Sequence, residues 1–490
     1  MSITSAIQIA ASGLTTSARR ADIVSGNIAN ATTPGYVQRT VELTEQIVGG
    51  QGAGVVTAGI DRTTSPVLTA DRRQADAETG NLQARSGALE RLARAVGEPG
   101  SSNSLSAVFE RLETAFRDLA ETPESAVQQQ EVVKSAQDVA GALNQLSTEN
   151  ARVRMDADAE ISRQVDEVNE ALRQLERINQ EIQKLGASGR DVSALEDERQ
   201  RLIDGISQRI PIRVIRRDQN DVMLLTNEGV PLFDGKAAQV SFQAASAIAP
   251  TTIYNGGAGP LSGLLVEGRD IAPGSGDNQS IREGSLAGLF AVRDTLGPDF
   301  QGQIDALAED LISRFSDPAT DPTLALGAPG LFTDAGSLPG APPVAGLAGR
   351  IAVNAAVDPD AGGEIWRVRD GIGAASPGPA GSQDGPRRFV DALTQARTLP
   401  AALGLTQQQS AGAAFQFLTS DVAISAGNLA REAEEQASFA AGLAQLEKNE
   451  TGVNIDQELQ TLTLIEQAYS ANALVVQTAD RMVQTLLNFG

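Results

Sequence analysis

The stretch ITSAIQIAASGLTTSARRADIVSGNIANATTPGY, residues 3–36, decides the fold at the start of the chain. Apolar and small residues recur in it at alternating steps of four and three, which keeps one narrow stripe on one side of a helix. This first seam consists of Ile3, Ile7, Ala10, Leu14, Ser17, Ala21, Val24, Ile28 and Ala31. The spacing predicts a single helix over 3–31, about 43 Å long at roughly 1.5 Å per residue.

A matching seam lies at the other end of the chain. It consists of Leu462, Ile465, Tyr469, Asn472, Val476, Ala479, Val483 and Leu486. Chain ends usually fray, so two terminal stripes of this kind predict that the protein attaches through its ends. From the residues alone, an internal hairpin or a dimer is the commonest structure for terminal heptads, and packing of paired ends into a larger assembly is the alternative. Asn472 within the second seam would fix the register of the pair at some cost in stability.

The first helix is predicted to be marginal on its own. Gly13 and Gly26 lie inside it, and each costs about 1 kcal/mol relative to alanine. Packing against a partner therefore decides whether the helix forms. Its end is marked by the segment 30–36, because Pro34 disfavours helix at the residue before it and Gly35 accepts turn dihedrals. A second interpretation of this segment is functional: Asn27 and Asn30 form hydrogen bonds to the backbone or to neighbouring side chains at a fixed bend, and Tyr36 anchors the segment after it.

Composition excludes several classes of function. Lys and Arg number 39 against 62 Asp and Glu, a net charge of −23, which argues against a nucleic-acid partner because phosphate binding needs a basic surface. The chain has no Cys and no His, so disulfides, thiolate metal sites and the commonest general base are excluded. No apolar run approaches the roughly 18 residues of a membrane helix, so no membrane partner is predicted. No cofactor site is predicted either, and aromatic residues are 3% of the chain, which predicts a core of Ala, Leu and Val.

The beginning of the chain does not match a secretory signal peptide, since it lacks a basic start and a continuous apolar block. Periodicity predicts further helices, and turn residues mark the breaks between them. The predicted helices cover 66–96, 104–120, 124–185, 191–208, 284–316, 388–398 and 411–449. Period-two spacing with frequent Gly, Asn and Asp predicts strands between 211 and 280.

The fold class predicted from these patterns is mostly α with an inserted β-rich domain. It has paired terminal coiled-coil-like helices, a long-helix bundle as a shaft, and a small β domain. The predicted domains are a terminal assembly domain (1–64 and 450–490), a helical shaft (65–210, 281–316 and 388–449), a β-rich domain (211–280) and a Pro/Gly-rich region of loops and short strands (317–387).

Sequence motifs at both ends resemble the bacterial flagellar axial proteins of the rod, hook and hook-associated groups. At the start these are ASGL at 11–14, SGNIAN at 25–30 and TPGY at 33–36. At the end they are QAYSANA at 467–473 and ADRMV at 479–483. Ser470 stands where glutamine is frequent in the superfamily.

Within that superfamily the chain is most similar to the FlgK family of hook-associated proteins, which form the junction between hook and filament. YVQR at 36–39, DER at 197–199 and GSLAGL at 284–289 carry this resemblance, together with a helical region of about 150 residues after the segment 37–64, which is predicted to be extended. Rod and hook proteins usually lack that helical insert. Residues 317–387 carry no recognisable family pattern.

The resemblance implies a structural protein of the flagellum that self-assembles with like subunits and contacts hook protein and a second junction protein. It implies extracellular delivery through flagellar export without a cleaved signal peptide, and an export chaperone on the C-terminal helix. The predicted assembly interface comprises Ile3, Ile7, Leu14, Val24, Asn27, Ile28, Asn30, Pro34, Gly35, Tyr36, Leu462, Ile465, Tyr469, Asn472, Val476, Val483 and Leu486. Two alternatives remain open: a hook or rod component, and a peptidoglycan-active flagellar enzyme.

Overall fold

The structure is a computed structural model that describes residues 3–48, 50–257, 259–340 and 343–488. Within these ranges the α-helices are α1 Ile3–Asn30, α2 Pro66–Val96, α3 Leu105–Glu121, α4 Ala126–Ala187, α5 Ser193–Arg209, α6 Gly284–Ala291, α7 Gly297–Phe315, α8 Arg367–Asp370, α9 Asp384–Thr394, α10 Ala411–Thr451 and α11 Ile455–Asn488. The strands are β1 Arg39–Val48, β2 Gln51–Arg62, β3 Ile212–Arg216, β4 Val222–Thr226, β5 Pro231–Asp234, β6 Val240–Ser241, β7 Leu265–Val266, β8 Arg269–Asp270, β9 Phe332–Asp334 and β10 Ile351–Val353. The predicted fold class, mostly helical with small sheets and paired terminal helices, is confirmed.

Helix bounds follow the glycine and proline signals of the sequence. Helix α2 begins at Pro66, which is tolerated at a first helical position because the N–H it lacks would be unpaired there. It ends before Gly97, whose φ of +87° places it in the left-handed region. Among the described helices, none combines the length and the hydropathy needed to span a bilayer.

The chain divides into two compact units. The first consists of Met1–Glu78, Glu167–Gln239 and Gln436–Gly490, and the second of Thr79–Asp166 and Val240–Glu435. The boundaries fall within α2, α4 and α10, so these helices contribute residues to both units. The boundary between Gln239 and Val240 falls inside the segment 211–280 that was predicted to be β-rich. The domain boundaries predicted from the sequence stay a prediction.

The first unit contains α1, the β1–β2 hairpin, α5, a three-stranded antiparallel sheet and α11. Strands β1 and β2 pair from Arg39 opposite Arg62 to Val48 opposite Gln51, and both α1 and α11 belong to the same unit. The sheet has the order β3–β4–β5, which makes β3 one of its edges. Strands β6, β7 and β8 form a separate antiparallel sheet in the second unit.

The core of the second unit departs from the prediction of a core made of Ala, Leu and Val, because it also contains clustered aromatic rings. Four phenylalanines from α3, α7, β9 and α9 lie with neighbouring ring centroids 5.4–5.8 Å apart: Phe116, Phe315, Phe332 and Phe389. Phe109 and Phe415 stack at 4.5 Å in the same unit. The low aromatic content of the chain did not predict these clusters, because several of the few phenylalanines lie together in the core of the second unit.

A second departure is the region predicted as one helix over 284–316. Residues Val292–Leu296 form a π-helical turn between α6 and α7. A wide turn of this kind inserts a residue into the helix and changes which side chains face inward. Helix α9 also begins and ends four residues earlier than the predicted 388–398.

The π-turn carries Arg293, which is fully buried in the second unit. Its guanidinium donates to Asp158 Oδ1 at 2.7 Å and to both carboxylate oxygens of Asp294 at 2.8 and 2.9 Å. It also lies 4.8 Å from the ring centroid of Phe290. Burial raises the pKa of Asp294, and the attraction of Arg293 opposes that rise. The Arg293 guanidinium therefore provides the positive charge that both buried carboxylates contact.

Candidate assembly interface

Helices α1 and α11 pack along each other, as the two seams predict. Every residue of the first seam is at least half-buried, and Ala10, Ser17 and Val24 are fully buried. In the second seam Ile465 and Ala479 are fully buried, whereas Leu462, Asn472, Val476 and Val483 are half-buried. Tyr469 and Leu486 are exposed and lie outside the covered part of the seam.

Gly13 of α1 lies in tight contact with Asn472 of α11. A Cβ atom placed on Gly13 would lie 2.6 Å from Nδ2 of Asn472 and 2.9 Å from its Cγ. A glycine therefore makes room for the polar residue that the sequence singled out in the second seam. Helix α1 is also fastened to β2, because Ser12 Oγ accepts the backbone N–H of Val55 at 3.1 Å.

Two glycines of α1 should respond differently to replacement by alanine. Gly26→Ala is expected to stabilise the helix pair by up to about 1 kcal/mol, because a Cβ there meets nothing nearer than the Tyr36 hydroxyl at 3.9 Å. Gly13→Ala is expected to lose this gain or reverse it, since the new methyl group displaces Asn472. Hydrogen exchange of α1 amides in urea measures both effects. Equal stabilisation by the two substitutions would contradict the close packing at Gly13.

Helix α11 carries a second apolar stripe beside its seam. The stripe consists of Leu464, Ala468, Ala471, Val475, Thr478 and Met482, again at steps of four and three. All six residues are exposed, with Leu464 at 63%, Val475 at 45% and Met482 at 53%. Sequence reasoning missed this stripe, although its heptad spacing is as regular as that of the seam. We call it the free stripe of α11.

The bend after α1 is built around Asn27, which is 1% exposed. Its Oδ1 accepts the Tyr36 hydroxyl at 2.9 Å and the Arg39 backbone N–H at 3.1 Å, and its Nδ2 donates to the Arg39 carbonyl oxygen at 2.9 Å. The side-chain amide of Asn27 thus forms both hydrogen bonds with the Arg39 backbone that a neighbouring β-strand would form. Asn30 donates from Nδ2 to the Gly26 carbonyl at 2.9 Å and closes the end of α1. The functional interpretation of the two asparagines agrees with these contacts.

Residues 33–36 form a tight turn that directs Tyr36 back onto the helix. The Tyr36 N–H donates to the Thr33 carbonyl at 3.2 Å, and Gly35 has a φ of +77°. Proline at the second position and a left-handed glycine at the third are typical of a type II turn, so Pro34 and Gly35 each fill the position that suits them. Burial raises the pKa of the Tyr36 hydroxyl, with Arg39 opposing the rise, so the hydroxyl stays a hydrogen-bond donor.

A buried ion cluster holds the same bend against α5. Asp197 is 6% exposed and accepts from the guanidinium groups of Arg39 and Arg62. The Arg39 guanidinium also lies 4.6 Å from the centroid of the Tyr36 ring. The sequence indicates only one member of this cluster, Asp197, through the DER stretch that carries the family resemblance. Residue spacing cannot predict its contact with Arg39 and Arg62, because they lie far from it in the chain.

Gln38, the residue before β1, is hydrogen-bonded to the last residue of α10 and to the first turn of α11. The backbone N–H of Gln38 donates to the Thr451 carbonyl at 2.8 Å, and its side-chain Nε2 donates to Glu458 Oε1 at 2.7 Å. Glu458 is buried. The two chain ends are therefore joined at this end of the helix pair by hydrogen bonds as well as by the seams.

No group of three or more Asp or Glu side chains within the described ranges is arranged to hold a metal ion. The features at the paired ends are two apolar seams packed against each other, the exposed free stripe of α11 and the hydrogen bonds around Asn27 and Gln38.

Three family models match the chain in order. Residues 7–36 match the model described as flagella basal body rod protein, 89–323 match the flagellar hook-associated protein FlgK helical domain, and 449–489 match the C-terminal model of the flagellar basal body rod FlgEFG proteins. The outer two matches contain most of both seams, and the middle match includes α3 to α7.

Two curated relatives match over nearly their whole length. Flagellar hook-associated protein 1 of Escherichia coli is 23% identical over 99% of this chain and 100% of its own. Flagellar hook-associated protein 1 of Bacillus subtilis is 21% identical over 94% of this chain and 93% of its own. Among solved structures, the flagellar hook junction protein FlgK from Burkholderia pseudomallei matches with a TM-score of 0.44 and 20% identity, covering 54% of this chain and 46% of that one.

Proposed function

Because this chain belongs to the FlgK family of flagellar hook-associated proteins, we propose that its paired terminal helices are the part that builds it into the flagellar axis. The chain is a structural component of the bacterial flagellum that joins hook to filament. The observation that carries the proposal is the free stripe of α11, which leaves Leu464, Val475 and Met482 exposed after the two helices have paired. Burial of each such side chain stabilises an assembly by on the order of 1 kcal/mol.

Neighbouring copies of the chain are the proposed cover for the free stripe. In a tube of like subunits, each pair of terminal helices has neighbours on more than one side, so a helix needs more than one apolar stripe. The seam serves the intrachain pair and the free stripe serves the contact between subunits. Hook protein is the proposed neighbour at one end of this tube of like subunits, and a second junction protein is the proposed neighbour at the other end.

Junction function predicts the phenotype of a deletion. A strain without this protein is expected to build hooks of normal length and to release filament subunits into the medium, because these subunits then lack a base to polymerise on. Electron microscopy of cells and immunoblotting of the medium measure the two effects. Absence of hooks would favour the alternative of a hook or rod component, and attached filaments would contradict an axial role.

Before assembly the free stripe needs protection from water, and we propose that an export chaperone covers α11. The chain would travel unfolded through the flagellar export channel, which is compatible with a sequence that has no cysteine. Mass spectrometry of the assembled protein is the test of export without cleavage. A processed N-terminus would contradict it.

The family is a structural one, and we propose that the chain has no catalytic activity of its own. A zymogram with peptidoglycan tests the alternative of a cell-wall enzyme. No cleared band is expected from the folded full-length chain. A band that persists in highly purified protein would overturn the proposal.

A further inference from the structure

A cavity of about 920 Å³ in the first unit lies apart from the seams of the helix pair. Its walls come from β2, α2, α5, β3 and β4, and all five residues of β3, 212–216, line it. Apolar side chains contribute part of the surface, among them Ile60 and Ile203. The cavity is a groove along one edge of the β3–β4–β5 sheet.

The groove is rich in arginine in a chain whose net charge is −23. Its five arginines are Arg62, Arg73, Arg199, Arg213 and Arg216, and its three carboxylates are Asp61, Asp71 and Glu196. Arg62 is already paired with Asp197, and Arg199 donates to the carbonyl oxygen of Asn220 at 2.6 Å. Asp197 and Asp204 balance two of these arginines. Arg213 and Arg216 form no ion pair with other described residues, so these two lining side chains are available to attract an anionic group.

Arg73 has a hydrogen-bonding atom that the protein leaves unused. The residue is 6% exposed, and its Nε donates to Asp204 Oδ1 at 2.7 Å. Its Nη2 is buried and has no hydrogen-bond partner among the described residues. A buried charged donor without an acceptor is destabilising. A ligand that brings an oxygen anion to this atom would remove that cost.

The edge of β3 offers backbone groups as well. Two hydrogen bonds fix the direction of its ladder: the Asn227 N–H donates to the Pro211 carbonyl, and the Arg217 N–H donates to the Asp221 carbonyl. Because backbone groups alternate in direction along a strand, odd-numbered residues of β3 face β4. The N–H and C=O groups of Ile212, Val214 and Arg216 then lie on the free edge.

We propose that this groove binds an extended acidic peptide segment, which adds as a strand to the free edge of β3 and places a carboxylate against Arg73. Strand addition takes affinity from main-chain hydrogen bonds and specificity from pockets for alternate side chains. Carboxylate and guanidinium form strong charge-assisted hydrogen bonds. Both features of the groove, the free edge and the unused guanidinium nitrogen, are satisfied by one ligand of this kind. The proposal does not depend on the assembly role of the terminal helices.

Selection from a phage-displayed library of random linear peptides on the full-length monomer tests the proposal. Enriched sequences are expected to contain a glutamate or aspartate between β-branched or apolar residues. A synthetic peptide of the most enriched sequence is then measured by fluorescence anisotropy. Replacement of its acidic residue by the corresponding amide is expected to weaken binding about tenfold or more, the usual effect of losing a hydrogen bond to a charged group.

Variants of the protein locate the site. Arg73→Gln is expected to weaken the peptide about tenfold, whereas Arg201→Gln, an exposed arginine of α5 outside the groove, should leave affinity unchanged. Circular dichroism of both variants checks that they fold. If Arg73→Gln does not fold, peptides N-methylated at alternate positions give the answer, because one set of positions should abolish binding and the other should not. No acidic enrichment, equal binding to the two variants, or insensitivity to N-methylation would overturn the proposal.

Discussion

Val475→Glu is expected to stop the attachment of filaments while leaving the chain itself folded. Val475 lies in the middle of the free stripe and is 45% exposed, so a glutamate there remains in water while the chain is alone. Once a neighbouring copy covers the stripe, the carboxylate loses its water without gaining a partner, which costs several kcal/mol. A cost of about 3 kcal/mol corresponds to roughly a hundredfold rise in the subunit concentration needed for assembly.

The measurement compares secretion with assembly in a deletion strain that carries the variant. The variant is expected in the medium, in an amount lowered by any loss of contact with the proposed chaperone on α11, together with hooks that lack filaments. Gln477→Glu is the matched control, because Gln477 is exposed and lies on the opposite side of α11 from Val475. Normal filaments with Val475→Glu would mean that the free stripe faces solvent in the assembled flagellum.

Arg293→Met is expected to destabilise the second unit by about 3–5 kcal/mol, the usual cost of breaking a buried ion pair on one side. Arg293 is fully buried and joins Asp158 to Asp294. Methionine fills a similar volume but leaves two buried carboxylates without a cation. Both would have to take up protons or draw in water, and the raised pKa of Asp294 already shows the effect of burial.

Chemical denaturation followed by near-ultraviolet absorption and hydrogen exchange measures this loss. Arg152→Met provides the control, because Arg152 is exposed and pairs with Glu149 at 3.5 Å. Its removal should change stability by less than about 0.5 kcal/mol. A loss below about 1 kcal/mol for Arg293→Met would contradict this role of Arg293 in the cluster.

Most helices could be predicted from the sequence, whereas most of the polar contacts between distant segments could not. Seams such as Ile3 to Ala31 predict helices well because their spacing is local, and Gly97 or Pro34 mark breaks by a backbone preference. The hydrogen bond between Asn27 and the backbone of Arg39 could be predicted from the sequence, because the two residues flank one short turn. The cluster of Asp197 with Arg39 and Arg62 was beyond local rules, because its members lie on segments far apart in the chain.

Three further features needed the structure for related reasons. The π-turn at 292–296 leaves no mark on apolar spacing, since it adds one residue inside an otherwise regular helix. The phenylalanine cluster depends on the positions of a few phenylalanines in the fold, and the aromatic content of the chain does not reveal those positions. The open edge of β3 depends on strand order, which composition does not determine.

The most direct measurement is a cryo-EM map of the hook–filament junction at side-chain resolution. The account predicts that α1 and α11 of each subunit lie side by side in the wall of the tube, and that Leu464, Val475 and Met482 are buried against neighbouring copies. A map in which these three side chains face water, or in which the two terminal helices of a subunit lie apart, would contradict it.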